Sequence, residues 1–292
     1  MNLSHFEFIK PLMALLLSII SFFMSIGGYP VIPNGQKLDM SKFELVWADE
    51  FNAKSLDRTN WNGHGFSAGQ TIVRRGSYWD IRLAEVKDGA LHIATKYYEN
   101  GPDGNGKPGW YTCGIDTSGS YRQTYGYFEA RCILPKGTGM WSAFWMLCES
   151  MSNVDGSGTD GAEIDIYESP YYFETGLNKN TVSSAVHYDG YGEGLRSEAV
   201  CRSIITNNPY EQFNTYGLEW NSDEYIFYIN GVEAGRSSFG GASQTAEYMI
   251  LSVEVDGANA VPADGWSGPS VNASPEIPTD FIVDYVRAYQ YK

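Results

Sequence analysis

The 292-residue sequence is short of cationic side chains, of cysteine and of long apolar runs, and each scarcity removes a class of function. Lys and Arg number 20 against 35 Asp and Glu, a formal net charge of -15. That balance weighs against a nucleic-acid partner, because a phosphate backbone is bound mainly through Lys and Arg. It also disfavours a polyanion, unless a local basic patch overrides the global sign. The four cysteines, Cys113, Cys132, Cys148 and Cys201, are widely and irregularly spaced with no C-x-x-C element, so zinc is not expected. If all four were bridged, three pairings would be open, and buried free thiols are the plainer reading. Beyond the first 28 residues no stretch is apolar enough to cross a bilayer, and nothing long repeats at a helical period.

What is present begins with an export signal. Residues 1–28 carry Lys10, an apolar run from Leu12 to Met24, and small residues at Ser25 and Gly27 around a cleavage point. The alternative is an uncleaved N-terminal membrane anchor, so the expected location is extracellular, either free or tethered. Residues 29–42 hold Pro30, Pro33 and Gly35 and read as a short linker. Residues 43–292 then form one domain, a size common for an all-β unit.

Within it, short β-branched and aromatic runs alternate with Gly, Asn, Asp and Pro. Examples are Ala90 to Thr95, Tyr127 to Ile133, Glu224 to Ile229 and Phe281 to Val286. Asn230-Gly231 marks a tight hairpin, because both turn positions need a positive φ. Many such strands point to a β-sandwich or barrel. Aromatics make up 15% of the chain, enough to fill a core and leave some for a surface.

The segment Glu163-Ile164-Asp165-Ile166-Tyr167-Glu168 carries the chemistry. On a strand, Glu163 and Asp165 share one face while Ile164 and Ile166 enter the core. Glu168 has the wrong parity to join the acids unless a β-bulge adds one residue after Asp165. Three acids on one face repel, and at least one pKa must rise. Retaining glycoside hydrolysis uses that situation: one carboxylate attacks and one protonated acid, about 5–5.5 Å away, serves the leaving group. A plain solvated strand face is the bland alternative. Gly161 permits close chain approach just before the motif. Trp141 and Trp145, of equal parity in the run Gly137 to Leu147, would line the same concave face, where indoles stack on sugar rings.

Together these residues resemble glycoside hydrolase family 16, the group of laminarinases, lichenases, agarases and carrageenases. The likeness runs through Leu45 to Phe51, Leu56-Asp57 with Trp61-Asn62, Tyr125 to Arg131, the Trp-rich run, Glu163 to Glu168, Tyr216 to Trp220 and Val283 to Arg287. It implies a jelly-roll β-sandwich of two curved antiparallel sheets with a long cleft on the concave one. It implies that Glu163 is the nucleophile, Asp165 the assisting acid and Glu168 the general acid/base. The inserted residue in the motif is the laminarinase-like form. Cleavage of internal β-1,3 or mixed β-1,3-1,4 glucan linkages is therefore the first expectation.

The resemblance further suggests substrate contacts for Trp141, Trp145 and His187, and a structural calcium at Glu50 and Asp284. It implies no cofactor for catalysis, a polysaccharide as the partner, and a monomer with no obligate protein partner. One segment departs from the laminarinase pattern. Gln70 to Trp79 brings Arg74 and Arg75 to a region that reads sugar hydroxyls, where they could meet a β-galactan or an anionic sugar. A β-galactan is thus the second expectation, and a non-catalytic sugar-binding jelly roll the third.

Overall fold

The computed structural model describes residues 30–67, 69–169, 180–257, 260–262 and 278–292. The expected signal or anchor at 1–28 lies outside them. Two large sheets pack face to face, as alternating apolar strands require. In one sheet the order is Val232–Ser237, Tyr225–Ile229, Asn214–Trp220, Gly126–Ile133, Phe281–Tyr291, Ala90–Ile93, Ala84–Lys87, with Phe43–Asp49 also on Phe281–Tyr291. In the other it is Arg196–Ile205, Thr181–Tyr188, Glu163–Ser169, Met140–Leu147, Tyr248–Val255, Gly114–Asp116, Asn62–Gly63. All strand pairs in these two sheets are antiparallel. This is the expected jelly-roll sandwich. A small third sheet was not foreseen; it joins Ile72–Arg74, Ser77–Trp79, Gly109–Thr112 and Lys96–Tyr98, and its middle pair is parallel.

Period-two alternation decides which side chains fill the space between the sheets. Phe128, Ala130 and Cys132 point inward from one strand, and Phe144, Met146, Ile164, Met249, Leu251 and Val253 meet them from the facing sheet. Each large apolar side chain so buried stabilises the fold by about 1.5–3 kcal/mol. The buried indoles also satisfy their N–H groups: Trp79 donates to the Val253 carbonyl at 2.8 Å, and Trp220 to that of Ser243 at 3.0 Å. All four cysteines are buried free thiols, the state the sequence favoured. At the hairpin, Asn230 and Gly231 take φ of 50° and 70°, as a turn with two positive angles demands.

Residues 30–42 differ from the expected linker. Val31 bridges Ile204 at the edge of the concave sheet, and Lys37 bridges Val232 at the edge of the other. Backbone bonds from Gly35 to Glu233, from Glu233 to Gln36 and from Leu38 to Gly231 fix the path between them. The segment is a strap over two strand edges, which would otherwise present unpaired N–H and C=O groups.

Candidate active site

The acid strand is bulged where parity required it. Asp165 faces Ala185 and Glu168 faces Ser183, so three steps on one strand match two on its neighbour. On the other side Asp165 faces Trp145 and Tyr167 faces Phe144, leaving Ile166 without a partner. Ile166 and Tyr167 consequently both turn into the core, and Glu168 returns to the face of Glu163 and Asp165. The Ser184 hydroxyl donates to the Ile166 carbonyl at 2.9 Å and so satisfies the extra residue. Gly161 allows the strand to enter, since a Cβ there would stand 2.5 Å from the Cys148 sulfur.

The three acids line one cavity of about 340 Å³ with Arg74, Trp141, Trp145 and His187. Every sequence-predicted catalytic or sugar-contacting residue therefore reaches the same cleft. Burial raises the pKa of Glu163 to about 7, and the charge of Asp165 adds to the rise. Burial, and then the Glu254 carboxylate, also raise Asp165. Glu168 is pushed well above the ordinary range by burial, then by Asp165 and Glu163. A raised Glu168 is the state a leaving-group donor needs.

Neighbours hold each acid in place. His187 Nε2 lies 3.1 Å from Asp165 Oδ2, while its Nδ1 is 2.7 Å from the Ser197 hydroxyl. The ring thus bridges the Asp165 carboxylate and the Ser197 hydroxyl through its two nitrogens. Trp141 donates its indole N–H to Glu168 Oε1 at 3.1 Å. The guanidinium of Arg75 covers one face of Trp141 with its carbon 3.8 Å from the ring centre, so only the other face is open to a sugar. Trp145 is 5% exposed, donates to the Ser252 hydroxyl at 3.1 Å, and forms floor rather than a broad stacking platform.

Residues beyond the predicted set complete the walls. Glu254 accepts from Arg74 Nε at 2.6 Å and pairs with Arg75, which also pairs with Asp256 at 3.2 Å. Glu254 and Ser252 alternate on Tyr248–Val255, a polar periodicity visible in the sequence. The phenol of Tyr191 donates to Glu163 Oε2, and no sequence motif marks it.

The calcium expectation does not fit the residues. Glu50 gives both oxygens to Arg287 at 2.7 and 2.8 Å, and Asp284 gives Oδ2 to Arg131 at 2.6 Å. Calcium wants six to eight oxygens, and cationic guanidinia already occupy these. Among the described residues, one set has metal-holding spacing: Glu163, Asp165 and His187, with ligand atoms within 4.8 Å. There His187 and Asp165 already engage each other, and the spacing equally serves acid chemistry.

Comparison with known proteins places this geometry in a lineage. The sequence matches the family model described as beta-porphyranase A-D, GH16 domain, over residues 44–291. It is 30% identical over 205 residues to an endo-1,3-1,4-beta-glycanase, EglC, of Rhizobium meliloti (strain 1021), covering 70% of this chain and 39% of that one. It is likewise 30% identical over 235 residues to beta-porphyranase B of Zobellia galactanivorans, covering 75% of each. The fold is shared with the crystal structure of SCLam, a non-specific endo-beta-1,3(4)-glucanase, at a TM-score of 0.65 and 23% identity, over 90% of this chain and 97% of that one. The bulged acid strand, the cleft and the match over residues 44–291 lead to one conclusion: this chain belongs to glycoside hydrolase family 16.

Proposed function

We propose that the protein is a retaining endo-glycoside hydrolase that cleaves internal β-1,3 or mixed β-1,3-1,4 glucan linkages by double displacement. The single observation that carries the hydrolase reading is the bulge at Ile166, which turns Glu168 back to the face of Glu163. Glu163 attacks the anomeric carbon while Glu168 gives its proton to the departing oxygen. Glu168 then takes a proton from water, whose oxygen displaces Glu163 from the sugar. Asp165, held by His187, tunes both carboxyls, which titrate as an interacting group. Carboxyls and water complete the cycle, so no cofactor enters the chemistry. Glycosidases of the family need none.

The glucan assignment draws on relatives named for endo-1,3-1,4-glycanase activity. A second reading, the same reaction on a β-galactan, draws on the porphyranase-type model and on Arg74 and Arg75 in the cleft. Laminarin, lichenan, agarose and porphyran, assayed side by side for new reducing ends, separate the two. Release from laminarin or lichenan supports the first reading, and galactan cleavage with silent glucans overturns it. Glu163→Gln separates both from a sugar-binding module: the hydrolase loses turnover by about a thousandfold or more yet still binds glycan. Export through residues 1–28 and a monomeric state belong to the same proposal; fractionation and light scattering test them.

A further inference from the structure

The side chain closest in kind to a third functional group at Glu163 comes from outside the acid strand. Glu163 stands opposite His187, so the chain that continues past Tyr188 runs beside the start of the acid strand. From residues 189–195, Tyr191 sends its hydroxyl to Glu163 Oε2, although the residue is 61% exposed. The stem of this loop is fixed. Asp189 is 2% exposed, and its carboxylate accepts the Asp155 N–H and the Gly156 N–H at 3.1 Å. Gly190 donates to the Met151 carbonyl at 2.7 Å, and Leu195 to that of Gly192 at 3.1 Å. An aromatic this open to solvent gains little by burial, so its contact with a cleft carboxyl calls for another reason.

We infer that Tyr191 is a positioning residue, a phenol that holds Oε2 of the Glu163 carboxylate so that Oε1 attacks the anomeric carbon. The inference rests on the hydrolase reading above. In the first displacement Oε1 bonds to the anomeric carbon as that carbon's bond to the leaving oxygen breaks. The electron pair goes to the leaving oxygen, which takes the proton of Glu168, and Tyr191 keeps its own. In the second, water oxygen bonds to the same carbon, its proton passes to Glu168, and Glu163 leaves as a carboxylate that Tyr191 again stabilises. A donor to a carboxylate favours its ionised form. The other charged and titratable groups facing Glu163 are Asp165 and Glu168 on its strand, His187 on the next, Arg74 from the small sheet and Glu247. Asp165 pushes Glu163 up, whereas His187, Tyr191 and Arg74 pull it down.

Tyr191→Phe keeps the ring and removes the donor. On whichever of the four glycans the wild type cleaves, kcat should fall about tenfold or more with KM no higher, as expected for one hydrogen bond to a charged group. The acid limb of the pH profile should move to higher pH. Glu163 itself can be followed without any substrate, by carbon NMR of enzyme labelled at the glutamate carboxyls and assigned with Glu163→Gln. Its midpoint should rise in Tyr191→Phe. An unmoved midpoint, or a higher KM with unchanged kcat and acid limb, overturns the role of Tyr191. Silence of the wild type on all four glycans instead overturns the hydrolase reading on which the role depends.

Discussion

Trp141 donates its indole N–H to Glu168 Oε1 across 3.1 Å, tying the cleft aromatic to the proposed acid. With one oxygen of Glu168 held, the other is left to carry the proton in the proposed mechanism. Trp141→Phe preserves a flat ring and deletes the donor. Turnover should drop about tenfold with KM within about twofold, the scale of one hydrogen bond to an ionisable partner. Steady-state kinetics check this, and a change confined to KM would make Trp141 a stacking surface only.

The pH profile follows from two raised carboxyls. The proposed double displacement requires Glu163 ionised and Glu168 protonated. Glu163 titrates near 7, so rates should climb as pH rises toward that value. Burial and the neighbouring carboxylates hold Glu168 well above the ordinary range, and rates should fall once it loses its proton. Glu168→Gln should abolish the alkaline limb along with most turnover on natural glycans. A rate plateau extending below pH 5 in the wild type would contradict the order of ionisation.

Stability should also depend on pH, through Glu247. This side chain is fully buried, accepts the Ala162 N–H at 3.2 Å, and has a pKa raised to about 8, first by burial. Its folded value lies above the ordinary 4.5, so its stabilising contribution is complete below that pH and is lost as pH rises through about 8. Glu247→Gln keeps the acceptor and cannot ionise. Calorimetry should show little gain in Tm at pH 5 and a gain on the order of 10 °C at pH 9. Equal Tm at both would remove the buried charge from the account.

Deletions in the acid strand test the parity argument directly. Without Ile166 alone the pleat becomes regular, Glu163, Asp165 and Glu168 fall at alternate positions, and all three acids stay on the cleft face with Tyr167 still toward the core. Deleting Ile166 and Tyr167 together instead turns Glu168 toward Phe144 and Met146, so hydrolysis should vanish and the thermal midpoint fall as a carboxyl enters an apolar core. Measurable hydrolysis by the single deletion and none by the double is the expected result; activity of the double deletion within about tenfold of wild type would show that parity is not what brings Glu168 to the site.

Much of this was legible in the chain. The alternation of acids with Ile164 and Ile166 sets the faces, and the odd parity of Glu168 by itself demands a bulge after Asp165. Equal parity put Trp141 and Trp145 on the cleft side. What escaped depends on partners distant in sequence. Pro30, Pro33 and Gly35 look the same in a free linker and in a strap, since composition does not reveal which backbone groups are paired. Glu50 and Asp284 look like ligands until Arg287 and Arg131 stand beside them. Tyr191 sits in a glycine-rich loop whose approach to Glu163 follows only from the strand register.

Retention is the central claim, and the stereochemistry of the first product tests it most directly. Proton NMR during early cleavage of laminarin reads the anomeric signal before mutarotation. The account predicts that the new reducing end appears first as the β anomer and only later equilibrates. An α anomer appearing first would mean single displacement, and Glu163 would not be the nucleophile.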